Sequence, residues 1–229
     1  MIGAVTMAFV IALALFAVAL YALSRLKQKD LNEAAGALGL PRVAHTPGIK
    51  GTTAEGWACR DTEVARGSIA GLTATLVNRS IPKILAPKRD RVATQFTILS
   101  LHLPSPPPTP MRLQPVGWSR GLEAITQSPP PVVPTGDAAF DNAWHLYSDA
   151  PTAALLLLTP DVRASLVAWR NACVPEGPAW TEHASSTLLL GSFEITPDRA
   201  SYVLFGSPTG KTGAHVAGTV TLLTTLAGR

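Results

Sequence analysis

From Ile2 to Leu23 the chain reads IGAVTMAFVIALALFAVALYAL, with no charged side chain and no Asn, Gln, Pro or His. Thr6 and the ring hydroxyl of Tyr21 are its polar groups. As a helix rising ~1.5 Å per residue, the run reaches roughly 33 Å, enough to cross the ~30 Å hydrocarbon core of a bilayer. A helix apolar all round has no face for water, which argues against a surface helix of a soluble domain. Ala17-Val18-Ala19 imitates the small-x-small site of a cleaved signal peptide. Against cleavage, the start carries no Lys or Arg, and the apolar run exceeds an ordinary signal core. Arg25, Lys27 and Lys29 come after the run instead. By the positive-inside rule that side stays in the cytoplasm, with a short N-terminus outside. The expectation is a retained transmembrane anchor over 1–24, a juxtamembrane helix over 25–40 that leaves the membrane as a stalk, and a cytoplasmic domain over 41–229.

The residues beyond the anchor suffice for one domain, or two small ones, with a core of respectable size. The net charge of +4 is unevenly placed: 12 of the 19 Lys and Arg, but only 6 of the 15 Asp and Glu, lie at or before Arg91. A basic excess beside an anchor suits an anionic inner leaflet. It does not suit nucleic acid, whose binding interleaves basic residues with exposed aromatics, and aromatics are 6% of this chain. Cys59 and Cys173 are far apart and form no CxxC pair. In a reducing compartment they are buried thiols, and in an exported domain they are candidates to bridge. His45, His102, His145, His183 and His215 show no HxH or HxxxH spacing, so no metal site is expected from local pattern.

The juxtamembrane helix has an apolar face of Leu26, Leu31, Ala34, Ala35 and Leu38, and Gly39 with Pro41 ends it. From Gly56 the texture turns to β: Trp57–Arg60, Val64–Ile69 and the alternating Leu72–Val77, punctuated by Gly67 and Gly71. Asn78 to Arg91 reads as a basic loop. Arg79, Lys83, Lys88, Arg89 and Arg91, with Arg25, Lys27 and Lys29 near the anchor, are the candidates for contact with lipid phosphates; the alternative is a solvated loop. Val92–Leu103 is the clearest strand. Ten of the 20 prolines fall between Pro104 and Pro134, a composition of stiff polyproline II connection or of PxxP partner ligand. The island Met111–Thr126 between them, with Trp118 and Leu122, is expected to pack on the domain.

The second half is more strongly patterned. Gly136–Asp141 leads into an Ala143–Tyr147 strand, Asp149 caps a short helix through Leu158, and Thr159 caps a second helix with Pro160 at its first position. Val162, Leu166, Trp169 and Cys173 give that helix one apolar stripe. Strands follow at Leu188–Ile195 and Tyr202–Phe205, and a last helix at His215–Leu226. Phe140, Asp141, Tyr147, Asp149, Leu157, Leu158, Thr159, Pro160, Arg163 and Leu166 make a block of phenylalanine-acid pair, strand, "D…LLTP" turn and "R..L" helix. With Leu38–Leu40, Gly67–Val77 and Phe96 upstream, it resembles a family of bacterial membrane-anchored proteins of unknown function. The resemblance implies the same tethered arrangement and brings no assigned activity, catalytic residue or cofactor. Read from the residues alone, Asp137, Asp141, Asp149 and Thr159 cap turns and helices and the leucines fill a core. Two aspartates four apart as a cation site is the weaker reading.

Gly206–Thr212, GSPTGKT, imitates a phosphate-binding loop in which Lys211 would reach a phosphate. Its GxxxGKT spacing is one residue short of the P-loop, and too little chain follows for the rest of a nucleotide hydrolase. There is no HExxH. The resulting expectation is an α+β body with a mostly antiparallel sheet packed with two or three helices, on the inner (cytoplasmic) membrane. It has no catalytic, cofactor-binding or metal residues, and acts as an interaction or scaffolding module, an accessory subunit with a membrane-protein partner. An anionic-lipid- or ligand-sensing domain is the second reading and a nucleotide-binding enzyme the third.

Overall fold

The computed structural model describes residues 29, 31–44, 48–52, 58–81, 94–116, 131–173, 191–205 and 212–227. The expected anchor, Arg25 and Lys27, the loop residues Lys83, Lys88, Arg89 and Arg91, and Lys211 all lie outside them. Among the described residues no single helix is long and apolar enough to cross a membrane.

Among the described residues, eight strands form one antiparallel sheet: β1 (Ile49–Thr52), β2 (Ala58–Ile69), β3 (Leu72–Ile81), β4 (Thr94–His102), β5 (Met111–Pro115), β6 (Trp144–Tyr147), β7 (Ser192–Thr196) and β8 (Arg199–Phe205). Their order across the sheet is β1-β2-β3-β4-β8-β7-β5-β6, which joins both halves of the chain. The three short strand segments expected between 57 and 77 are two long strands. Only Ala70 and Gly71 separate them, both at positive φ (50° and 77°), the conformation a two-residue hairpin loop requires. Instead of a break near Glu63, β2 carries a register shift between Glu63 and Ala65.

Register explains the alternation in the sequence. Ala65, Leu76, Leu99, Tyr202, Phe193, Leu113 and Leu146 stand opposite one another from β2 to β6, and none is more than 1% exposed. Ala74, Leu101, Ala200, Ile195 and Met111 form the next apolar row. Between these rows, on the opposite face, runs a polar row of Arg66, Thr75, Ser100, Ser201, Glu194, Arg112 and Tyr147. A strand period of two puts these sets on opposite faces, and a slip of one residue would exchange them.

Helices cover the apolar face. They are α1 (31–37), α2 (Ala138–Asp141), α3 (Pro151–Leu157), α4 (Pro160–Cys173) and α5 (Thr212–Leu226). Leu31, Ala34 and Ala35 of α1, Ala154 of α3, Val162 and Leu166 of α4, and Leu222, Leu223 and Leu226 of α5 share one core with both apolar rows. The helix expected to stand off as a stalk is therefore welded to the domain over 31–37: its small residues allow close approach to the sheet, and Gly39 at φ 65° ends it. The segment expected to run straight from Gly136 into a strand first makes α2. Gly136 (φ 78°) turns the chain, and the Asp137 carboxylate accepts from the Ala139 and Phe140 amides. Asp149 does not cap α3. The N-cap is Ala150, with no side-chain bond, and Ser148 Oγ accepts from the Ala150 amide instead.

Candidate functional site

The block around Phe140 is one hydrogen-bonded assembly. The Arg163 guanidinium on α4 donates to Asp137 Oδ2 at 3.2 Å and, through Nη1, to the Leu158 carbonyl at 2.8 Å. It thereby ties the start of α2 to the end of α3 and satisfies a carbonyl that a helix C-terminus leaves without a partner. Bonds from the Phe140 amide and then from Arg163 lower the Asp137 pKa below its ordinary 3.8. Asp141 accepts from the Thr135 amide (3.1 Å) and hydroxyl (2.8 Å), and Thr159 Oγ1 accepts from the Val162 amide at 3.4 Å, above Pro160 at the first position of α4. Phe140 is fully buried. Phe140, Asp141, Thr159, Pro160 and Arg163 thus come together, whereas Asp149 is exposed beside them.

Behind this assembly α4 turns Trp169 into the aromatic rings of the sheet, with centroids 6.2 Å from Trp144, 5.5 Å from Phe193 and 5.8 Å from Tyr202. Gly191 is required there: a Cβ would lie 2.4 Å from the Val203 carbonyl oxygen and 2.6 Å from the Tyr202 ring. The Gly191 amide donates to Tyr202 Oη at 2.7 Å. Burial depresses Arg170 and pushes the Cys173 thiol up to about 11, so that thiol is protonated near neutrality and unsuited to nucleophilic work. Cys59 is also a free, buried thiol with a raised pKa. It stands on the polar face of the sheet, while Cys173 is on α4 over the apolar face, so the two do not meet. Among the described residues no group of three or more His, Cys, Asp or Glu is placed to hold a metal ion. The His102 ring lies 3.4 Å from Thr75 Oγ1, and the His145 ring lies 3.4 Å from Tyr147 Oη.

The cation set read from sequence is corrected at its best-described member. Arg79 lies on β3, not in a loop. Its guanidinium donates to both Asp61 oxygens, at 2.8 and 2.7 Å, and these bonds raise its pKa. Its fork and its charge are occupied, so it is not free for lipid phosphate. Lys29 is exposed, 3.7 Å from Glu33.

Three other cations gather on the β1 side. Residues 41–43 run antiparallel to 64–66: the Val43 amide donates to the Val64 carbonyl, the Arg66 amide donates to the Pro41 carbonyl (both 3.1 Å), and Arg42 bridges Ala65. β1 continues along the same side of β2, placing Lys50 directly opposite Arg60. Arg42, Lys50 and Arg60 are all exposed. The acids of β2 are engaged elsewhere, Asp61 by Arg79 and Glu63 by Arg66 at 2.6 Å. Val43 and Ile49, at 37% and 76% exposure, are two of the exposed large apolar residues, and both sit on this edge. The sequence signal was faint: single cations spread over 42–60, recognisable only once the pairing is known.

No family model and no curated protein matches this chain. Among solved structures it is similar to the crystal structure of the mycobacterial trehalose monomycolate transport factor A, TtfA, with a TM-score of 0.47 and 11% identity over 88% of this chain and 96% of that one. At that level the likeness carries no functional inference.

Proposed function

We propose that the protein is a single-pass membrane-anchored protein of the bacterial inner membrane, resembling the tethered family of unknown function. Its α+β body would act on the cytoplasmic side as an interaction or scaffolding module, an accessory subunit of a membrane complex. The observation that carries this reading is the uncharged run Ile2–Leu23 with Arg25, Lys27 and Lys29 behind it. The packing of α1 supports it, because a helix held in the core ties the preceding chain to the domain without a long slack linker. A non-catalytic role is supported by the signature block: the polar groups of Asp137, Asp141, Thr159 and Arg163 bond to one another and to the backbone. The test is purification of the full-length protein from its native membrane in mild detergent. A membrane protein recovered in fixed stoichiometry is expected, and a chain recovered alone from the soluble fraction contradicts the proposal. Lipid sensing is the second reading, favoured by the cationic edge.

A further inference from the structure

Two properties of the β1 edge pull in different directions. An edge strand offers unpaired backbone groups to another strand. This one is interrupted against such pairing: it is in two parts, 41–43 and Ile49–Thr52, and Lys50 stands in the middle of the second. Lys50 and Arg60 face each other as like charges, an arrangement that costs stability when no anion joins them. Arg42 adds a third cation on the same face of the edge, and the adjacent Val43 and Ile49 expose their side chains on the opposite face. Cations on one face and exposed aliphatic residues on the other, presented edge-on, suit a surface that is anionic outside and apolar beneath.

We infer that the composite edge of 41–44 and 48–52, with Arg60 beside it, is the surface this domain lays on an anionic lipid bilayer. The inference rests on the tethered reading above. Sequence and packing tie this edge to the anchor: α1 lies in the core and leads through Gly39 directly into the edge, and only a few residues separate α1 from the end of the apolar run. A tether that short holds the domain against the headgroups, so that weak contacts act at high effective concentration. The cations supply attraction to lipid phosphates, Ile49 and Val43 enter the headgroup boundary, and Lys50 discourages a strand partner.

The test uses the full chain in vesicles, with an environment-sensitive fluorophore on Ile49→Cys and, as control, on Leu156→Cys, exposed on α3. Because the native thiols are buried or half-buried with raised pKa values, brief labelling at neutral pH favours the new cysteine, and the unsubstituted chain gives the blank. On mixed phosphatidylglycerol and phosphatidylcholine vesicles the probe at 49 should shift to the blue and brighten, and the probe at 156 should not. High salt, or phosphatidylcholine alone, should abolish the shift. Arg42→Glu with Lys50→Glu and Arg60→Glu should reduce the contacting fraction at least about tenfold. The salt and lipid arms need no variant, so they decide the matter even if the triple substitution folds poorly. A probe at 49 that stays as aqueous as the one at 156 on anionic vesicles, in a chain that floats with them, overturns this inference and leaves the anchor standing. A chain that does not float overturns both. Shielding of position 49 in native membranes but not on protein-free anionic vesicles overturns the lipid assignment and gives the edge to a protein strand.

Discussion

The two edges of the sheet are built by opposite rules. At the β6 edge most of the groups that sequence marks as distinctive, Asp137, Asp141, Thr159 and Arg163 among them, bond inward. The Val133 amide donates to the Leu146 carbonyl at 2.8 Å and closes the strand, Arg163 ties Asp137 to Leu158, and Trp144 is buried to 1% beneath Trp169. At the β1 edge Arg42, Lys50 and Arg60 point into solvent and Ile49 is exposed. One edge is a lock and the other is a surface. A patterned sequence block thus marks the part of the molecule that holds itself together, while the part available to something else is nearly silent in the sequence.

The comparison breaks most readily at the lock. Trp144→Ala removes the ring on which Trp169 and Phe193 pack and should cost about 3–5 kcal/mol in denaturant unfolding. Arg163→Met comes next, at about 1–3 kcal/mol, because it leaves the part-buried Leu158 carbonyl without its donor. Asp137→Asn should be strongly non-additive with it. Thr159→Ala should cost about 0.5–2 kcal/mol through loss of the α4 cap. Asp137 also gives the lock a pH signature. Its folded pKa lies below the ordinary 3.8, so its contribution is present above that value and is lost as pH falls from there through the folded pKa. An acid titration of stability should therefore be less steep in Asp137→Asn. At the other edge, Lys50→Ala should change stability by no more than about 0.5 kcal/mol, as expected for an exposed residue.

How far the sequence could be read follows the same division. Alternation in LTATLV and FTILSL, the Thr159-Pro160 helix start and the Val162–Leu166 stripe are local signals, and each became the element it implied. The joining of β4 to β8 and of β7 to β5 depends on pairs of residues 80 to 109 apart in the chain, which no local pattern encodes. Arg79 was misread as a loop cation because its partner Asp61 is on the neighbouring strand, visible only through register. α2 was missed because four residues are too few for periodicity, although Gly136 and Asp137 are the signals of a turn and a cap. Arg42, Lys50 and Arg60 became a set only when β1 and 41–43 were found on one side of β2.

The most direct measurement is a crossed comparison in the full-length chain of Arg163→Met against the triple reversal Arg42→Glu, Lys50→Glu and Arg60→Glu, scoring for each the unfolding midpoint and the fluorescence of the probe at position 49 on anionic vesicles. The account predicts that Arg163→Met lowers the midpoint and keeps the blue-shifted probe, while the triple reversal keeps the midpoint and loses it. Two variants that change both quantities together would contradict the division between a locked edge and a contacting one.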